Sequence, residues 1–68
     1  MAYLLQADDH IYRCRSWDQL AERLLWAHRQ GFRSAKARRT AWEEDRPLLP
    51  SEAVALVAAA TELALASD

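Results

Sequence analysis

The alternation of apolar and polar residues at the start of the chain predicts a β-hairpin. Residues 2–6 and 11–15 are short segments rich in aromatic, branched and aliphatic side chains, which favour strands. Residues 7–10 between them are typical of a turn. Because a two-stranded hairpin is only marginally stable alone, we expect it to pack on a helix or to pair across a dimer.

The first predicted helix lies between Ser16 and Gly31. Ser16 and Gln19 have the spacing of a capping box, and Gly31 stands where glycine commonly ends a helix. Trp26 lies in the middle of the polar face, so it is an exception to the amphipathic pattern. The apolar stripe on the opposite face contains Trp17, Leu20, Ala21, Leu24 and His28.

A second helix is predicted from about Ser34 to Asp45, although it has few apolar residues. Pro47 and Pro50 prevent a continuous helix beyond it. A third helix is expected to follow, so the predicted fold is α+β and mostly helical, with an N-terminal two-stranded β-hairpin followed by three α-helices. The apolar residues of the second helix are Ala35, Ala37, Ala41 and Trp42.

The third predicted helix, residues 51–66, is apolar on almost every side. Such a helix is normally buried all round, and a single domain over residues 1–68 has too few other elements to cover it. We therefore expect a small interaction domain that forms a homodimer through the C-terminal helix. The face expected inside the domain contains Val54, Val57, Ala58, Thr61 and Leu65. The face expected at the dimer interface contains Leu56, Ala60, Leu63 and Ala64.

Composition supports the expectation of a dimer. A chain of 68 residues rarely gains more than ~3–5 kcal/mol from its own core. Cys14 is the only cysteine, so no intrachain disulfide can form, and no Cys/His cluster has structural-zinc spacing. Oligomerisation is the remaining common source of stability. The single cysteine, the lack of a leader-like N-terminus and the lack of a ~20-residue apolar run predict a cytoplasmic protein without a membrane segment.

Few residues could support catalysis or metal binding. Cys14 and His10 could form a nucleophile and base across the hairpin, but no third orienting group is evident. Asp8, Asp9 and His10 could ligate a metal, although all three are also common in turns. His28 on the apolar stripe is more typical of a hydrogen-bonded histidine at the core edge. We therefore expect that the protein has no enzyme activity and binds neither a metal ion nor a cofactor.

Trp26 has two interpretations. It could fold over the second helix or the hairpin, or it could be an exposed aromatic anchor for a partner. Trp and Arg are enriched at binding hot spots, and Arg23 and Arg29 are near enough on the helix to flank it. The second interpretation predicts a contact surface centred on Trp26.

Charge is unevenly distributed, although the net charge is only −1. Segment 29–39 holds five of the nine basic residues and no acidic residue. It could be a solvated face with ion pairs to Glu43 or Glu44, or a patch that binds phosphate or carboxylate groups. The five basic residues are Arg29, Arg33, Lys36, Arg38 and Arg39.

Residues 24–38, LLWAHRQGFRSAKAR, resemble the opening of helix-turn-helix repressors of the Cro/CI type. In that family a first helix ends near Gly-Phe and a short second helix begins at Ser, which the resemblance places at Ser34. The family then has a recognition helix with polar, base-reading residues, whereas residues 42–47 here are acidic and contain a proline. The resemblance therefore supports a helical turn more than DNA reading.

The expected function is non-enzymatic binding that inhibits or modulates another macromolecule, with a bacterial host protein as the partner. The profile is similar to that of small phage or mobile-element inhibitors, anti-CRISPR proteins among them. The alternative is a small DNA-binding regulator that uses the basic segment 29–39.

Overall fold

A four-stranded antiparallel sheet and two helices make up the fold of the computed structural model, which describes residues 2–41 and 44–66. The strand order in the sheet is β2-β1-β3-β4. The helices belong to a second layer on one side of the sheet. In chain order, the elements are β1 (Ala2–Ala7), β2 (His10–Cys14), α1 (Trp17–Arg29), β3 (Ala35–Ala41), β4 (Glu44–Pro47) and α2 (Pro50–Ala66).

Two consecutive ββα units build this architecture, although the two halves show no obvious sequence repeat. The first unit is β1-β2-α1 and the second is β3-β4-α2. Ala7 pairs with His10 in the first hairpin, and 34 residues later Ala41 pairs with Glu44 in the second. The units join where β1 pairs with β3, so both central strands have a neighbour on each side.

The predicted second helix is wrong, because its residues form β3 and the first two residues of β4. The fold therefore has four strands and two helices rather than a two-stranded hairpin and three helices. Ala35 and Ala37 pair with Ala7 and Leu5 of β1, on the sheet face that the helices cover. The local propensity of Ala, Lys and Arg for helix is overridden by pairing with two strands. Trp42, expected on that helix, lies outside the described residues.

The resemblance to helix-turn-helix repressors fails for the same reason. Ser34 precedes a strand rather than a second helix, so no recognition helix follows α1 in the described chain. The N-terminal hairpin is present, but it is only half of the larger sheet.

Local signals define both ends of α1. The Ser16 hydroxyl accepts a hydrogen bond from the Gln19 N–H at 3.1 Å, and the Gln19 side chain accepts one from the Arg15 N–H. At the other end, Gly31 has a φ of 81°, and its N–H donates to the carbonyl of His28. The next N–H, of Phe32, donates to the carbonyl of Ala27, which completes a Schellman motif.

The core lies between the sheet and α1, with α2 packed mainly against α1. Leu5 and Leu20 are fully buried at its centre. Leu56 and Ala60 of α2 are 3% and 7% exposed, because this face of α2 turns inward within a single chain. These two residues were expected at a dimer interface. The core cluster contains Leu5, Ala7, Cys14, Leu20, Ala21, Ala27 and Leu56.

Gly31→Ala should lower the free energy of unfolding by about 1 kcal/mol, because a residue with a Cβ is strained in the left-handed conformation. A Cβ at Gly31 would meet no atom within 4 Å, so steric clash does not contribute. Gly31→Asn should cost less, since Asn tolerates this conformation. Urea denaturation measures both variants; equal stability of wild type and Gly31→Ala would contradict the prediction.

Candidate partner-binding site

An aromatic patch lies where α1 crosses the edge strand β2. We use this name for His10, Tyr12, Arg23, Trp26 and Phe32. The Tyr12 and Trp26 ring centroids are 5.4 Å apart and nearly perpendicular. The Phe32 ring centroid lies 5.8 Å from that of Trp26 and 5.7 Å from that of His10. The rings therefore form a continuous cluster of edge-to-face and tilted contacts, which such side chains favour.

Arg23 covers this cluster from α1. Its guanidinium carbon lies 4.9 Å from the Trp26 ring centroid and 5.0 Å from that of Tyr12. A cation over an aromatic face is attracted by the ring quadrupole. Arg23 is thus held over two rings at once.

Trp26 remains 36% exposed despite these contacts. It packs against Tyr12 of the hairpin and is also partly exposed to solvent, so the structure combines features of both interpretations. A shallow cavity of about 280 Å³ opens beside it. The other cavity residues are Glu22, Leu25, Arg29, Gln30 and Leu63.

The five basic residues of segment 29–39 lie at several separate places in the structure. Arg29 is next to Trp26, whereas Arg33 is in the loop before β3. Lys36 and Arg38 point away from the helices, on the open face of the sheet. Arg39 points to the helix side and forms a 3.4 Å ion pair with Glu52. Segment 29–39 therefore does not form one continuous patch.

Sheet pairing brings Arg13 to the open face beside part of that segment. Leu4 pairs with Arg13 on one side and with Arg38 on the other. Arg13, Arg38 and Lys36 are all exposed. The sequence alone does not place Arg13 near segment 29–39, because that relation depends on pairing between β1 and β3.

Glu52 ties the start of α2 to the second hairpin. One carboxylate oxygen accepts a hydrogen bond from the Leu49 N–H at 3.1 Å. The carboxylate also forms ion pairs with Arg39 at 3.4 Å and Arg46 at 3.5 Å. The Leu49 hydrogen bond, with smaller contributions from the two arginines, lowers the pKa of Glu52. Glu52 on α2 is therefore an acidic partner of Arg39.

Asp8 joins the β1–β2 turn to the loop before β3. Its N–H donates to the Ser34 carbonyl at 2.9 Å. Its carboxylate accepts hydrogen bonds from the N–H groups of Arg33, at 3.3 Å, and Ser34, at 3.0 Å, and from the Ser34 hydroxyl at 3.2 Å. The two backbone donors are the main reason that the pKa of Asp8 is lowered. Asp8 therefore has a structural role, because it holds the β1–β2 turn against the loop before β3.

The candidate catalytic and metal residues are not assembled into a site. Cys14 is buried, which raises the pKa of its thiol. His10 is four residues away on the same strand, roughly 13 Å at the usual rise. His28 lines a groove between the helices. Within residues 2–41 and 44–66, no three His, Cys, Asp or Glu side chains are grouped to hold a metal ion.

Among the described residues, the aromatic patch is a candidate surface for contact with a partner. The sequence pattern predicted Trp26 and Arg23 as contact residues, and the structure places Tyr12, Phe32 and His10 beside them. No protein-family model, curated protein or solved structure matches the chain. No helix in the described parts of the chain is long and apolar enough to cross a bilayer.

Asp8→Asn should destabilise the protein at neutral pH, and the difference from wild type should shrink on acidification. The pKa of Asp8 in the folded state lies below its ordinary value of 3.8. The stabilisation is therefore present above the unfolded-state pKa and is lost as pH falls through the folded-state pKa.

Urea denaturation of both proteins between about pH 7 and pH 2 measures this difference. Asp9→Asn is the matched control, because it removes the same charge one residue away. A wild-type advantage over Asp8→Asn that stays constant across this range would contradict the assignment.

Proposed function

We propose that this chain is a non-enzymatic protein that binds and modulates another protein through the aromatic patch. The observation that carries the proposal is the partly exposed Trp26, held by Tyr12, Phe32 and Arg23 beside a cavity. Trp, Tyr and Arg are the residue types most enriched at binding hot spots.

Preorganisation of the patch supports this role. Tyr12, Trp26 and Phe32 already restrict one another, so binding would cost less side-chain entropy than it would for free rings. The cavity beside Trp26 offers space for a side chain of the partner. The partly exposed Trp26 and the cavity beside it together form an uneven surface rather than a flat one.

The proposed partner is a bacterial host protein in the cytoplasm. The proposed effect is inhibition by occupying one of that protein's surfaces. This part of the proposal rests on the sequence profile, which is similar to that of small phage and mobile-element inhibitors such as anti-CRISPR proteins. The patch supplies a defined surface for such a contact.

A second candidate function is nucleic-acid binding by the open sheet face. The specific observation is the row Arg13–Leu4–Arg38, with Lys36 two residues along β3 from Arg38. Neighbouring side chains in such a row are roughly 5 Å apart, so the two arginines are close enough to contact one phosphate backbone. This surface replaces segment 29–39 as the candidate nucleic-acid interface.

Trp26→Ala should weaken binding of the partner protein by ~2 kcal/mol or more, about 30-fold, as hot-spot truncations do. The partner would first be captured from a bacterial lysate and then purified for calorimetric titration. Ile11→Ala is the control, because Ile11 is an exposed apolar residue on the open sheet face. Circular dichroism establishes that each variant is folded.

Gln30→Arg provides a second test that leaves the aromatic rings in place. Gln30 is exposed and lines the cavity beside Trp26, so a larger side chain there should obstruct the partner. Wild-type affinity in folded Trp26→Ala and Gln30→Arg variants would contradict the proposal. Equal weakening by Ile11→Ala would also contradict it.

The second candidate predicts salt-dependent binding of a labelled oligonucleotide, measured by fluorescence anisotropy. Replacing Arg13, Lys36 and Arg38 with Ala should abolish this binding, because three phosphate contacts are lost. Arg33→Ala, in the exposed loop before β3, should have a smaller effect. Absence of wild-type binding at low salt would rule out this candidate.

A further inference from the structure

The backbone hydrogen bonds of β1 alternate between its two neighbouring strands. The N–H of Asp8, directly after β1, donates to the Ser34 carbonyl in continuation of the β1–β3 register. In an antiparallel sheet, successive residues of a central strand bond alternately to the strands on its two sides. Leu5 lies an odd number of residues before Asp8, so it bonds to β2, where its partner is Tyr12.

The backbone N–H and C=O groups of Ile11 and Arg13 consequently point away from the sheet. These residues flank Tyr12, whose own backbone groups bond to β1. Arg15 should face outward by the same alternation, and its N–H is indeed taken by the Gln19 side chain. Ile11 and Arg13 are exposed, and none of their outward backbone groups bonds to another described residue. Residues 11–13 are therefore an open strand edge, to which a further strand can pair.

The opposite edge of the sheet, β4, is closed to such pairing. The Leu48 N–H donates to the Ala37 carbonyl at 3.2 Å, so the alternation turns Asp45 and Pro47 outward. Proline has no N–H to donate to an added strand. The two edges therefore differ, because β2 presents a donor and an acceptor at both of its outward positions.

A strand added beside β2 would lie against the aromatic patch. Tyr12 projects to the helix side of the sheet, where the guanidinium carbon of Arg23 lies 5.0 Å from its ring centroid. Side chains directly opposite each other on paired strands are roughly 5 Å apart. The added residue opposite Tyr12 would therefore contact the patch. Its two neighbours would lie beside Ile11 and Arg13 on the open sheet face.

Arginines line the open edge on both faces of the sheet. Arg13 lies on the open face, Arg23 lies on the helix side, and Arg15 follows the end of β2. No carboxylate in the described parts of the chain forms an ion pair with these three arginines. Acidic side chains on an added strand would complement this charge, whereas basic ones would be repelled.

We propose that residues 11–13 are the docking site for an extended acidic segment of the partner protein, which adds to the four-stranded sheet as a further strand. This inference rests on the proposed protein-binding function and specifies the form of the partner's contact. A second copy of this chain is a less favourable occupant. Pairing β2 with β2 would bring Arg13, Arg15 and Arg23 of both copies to one interface, where like charges repel.

Amide hydrogen exchange followed by NMR tests the open edge in the free protein. The amides of Ile11 and Arg13 should exchange faster than those of Tyr12 and Cys14, which bond to β1. Equal protection of all four amides would overturn the proposal. Protection of Ile11 and Arg13 that is lost on dilution would also overturn it, since a second copy would then occupy the edge.

A short capped peptide that alternates glutamate and valine is the probe of the docking site. At ten times its dissociation constant, this peptide should slow exchange of the Ile11 and Arg13 amides about tenfold. One control peptide has lysine in place of glutamate, and the other keeps the glutamates but has methylated backbone nitrogens. Both controls should bind more weakly, because one has the wrong charge and the other cannot donate backbone hydrogen bonds.

The peptide titration has two outcomes that contradict the docking site. The first is that the glutamate peptide, at millimolar concentration, leaves the resonances of Ile11 and Arg13 unchanged. The second is that either control peptide binds as tightly as the glutamate peptide. Either outcome would overturn the proposal.

Ile11→Pro separates this inference from the proposed function. Proline at this position removes only an outward N–H, so the variant should fold. It should weaken binding of the purified partner about fivefold or more, because an intermolecular hydrogen bond is lost. Ile11→Ala keeps the N–H and should bind as wild type does. Wild-type affinity of folded Ile11→Pro, together with weakened binding by Trp26→Ala, would overturn the docking edge and leave the aromatic patch supported.

Discussion

The pairing between β1 and β3 is the interaction on which the rest of this structure depends. It joins the two ββα units through a continuous register from Ala2 opposite Thr40 to Ala7 opposite Ala35. Asp8 strengthens the end of this pairing by holding Ser34 beside the β1–β2 turn. Without the β1–β3 pairing, the contact between α1 and α2 would be the main one that holds the second hairpin and α2 to the first unit.

This pairing also determines which surfaces remain available. Because both helices belong to one side of the sheet, Arg13, Lys36 and Arg38 share its other face. At the β2 edge, α1 covers Cys14 but only partly covers Tyr12, so the aromatic patch remains accessible. α2 packs mainly on α1, and Val54, Val57 and Leu65 on its outer face are left exposed. The exposure of each of these surfaces therefore follows from one arrangement of layers.

The sequence predicted elements whose signals are local. The Ser16–Gln19 cap and Gly31 define α1, and α2 begins at Pro50, one residue before the predicted start at Ser51. The sequence did not predict β3, because its Ala, Lys and Arg residues favour helix and the decisive partner is the distant β1. The same distinction between local and distant signals applies to the residues of the aromatic patch. Trp26 was identifiable from the helical pattern, whereas Tyr12 and Phe32 join it only through tertiary packing.

The exposed surfaces and the join between the two units all depend on residues 35–41 forming a strand between β1 and β4. Nuclear Overhauser effects in an isotope-labelled sample measure this directly. We expect cross-strand contacts between the backbone protons of β1 and β3, in the register of Leu5 with Ala37. We also expect slow amide exchange in β3, because central-strand hydrogen bonds are protected. Medium-range contacts between residues three apart within 35–41, typical of helix, with no contacts to β1 would contradict the assignment of this strand.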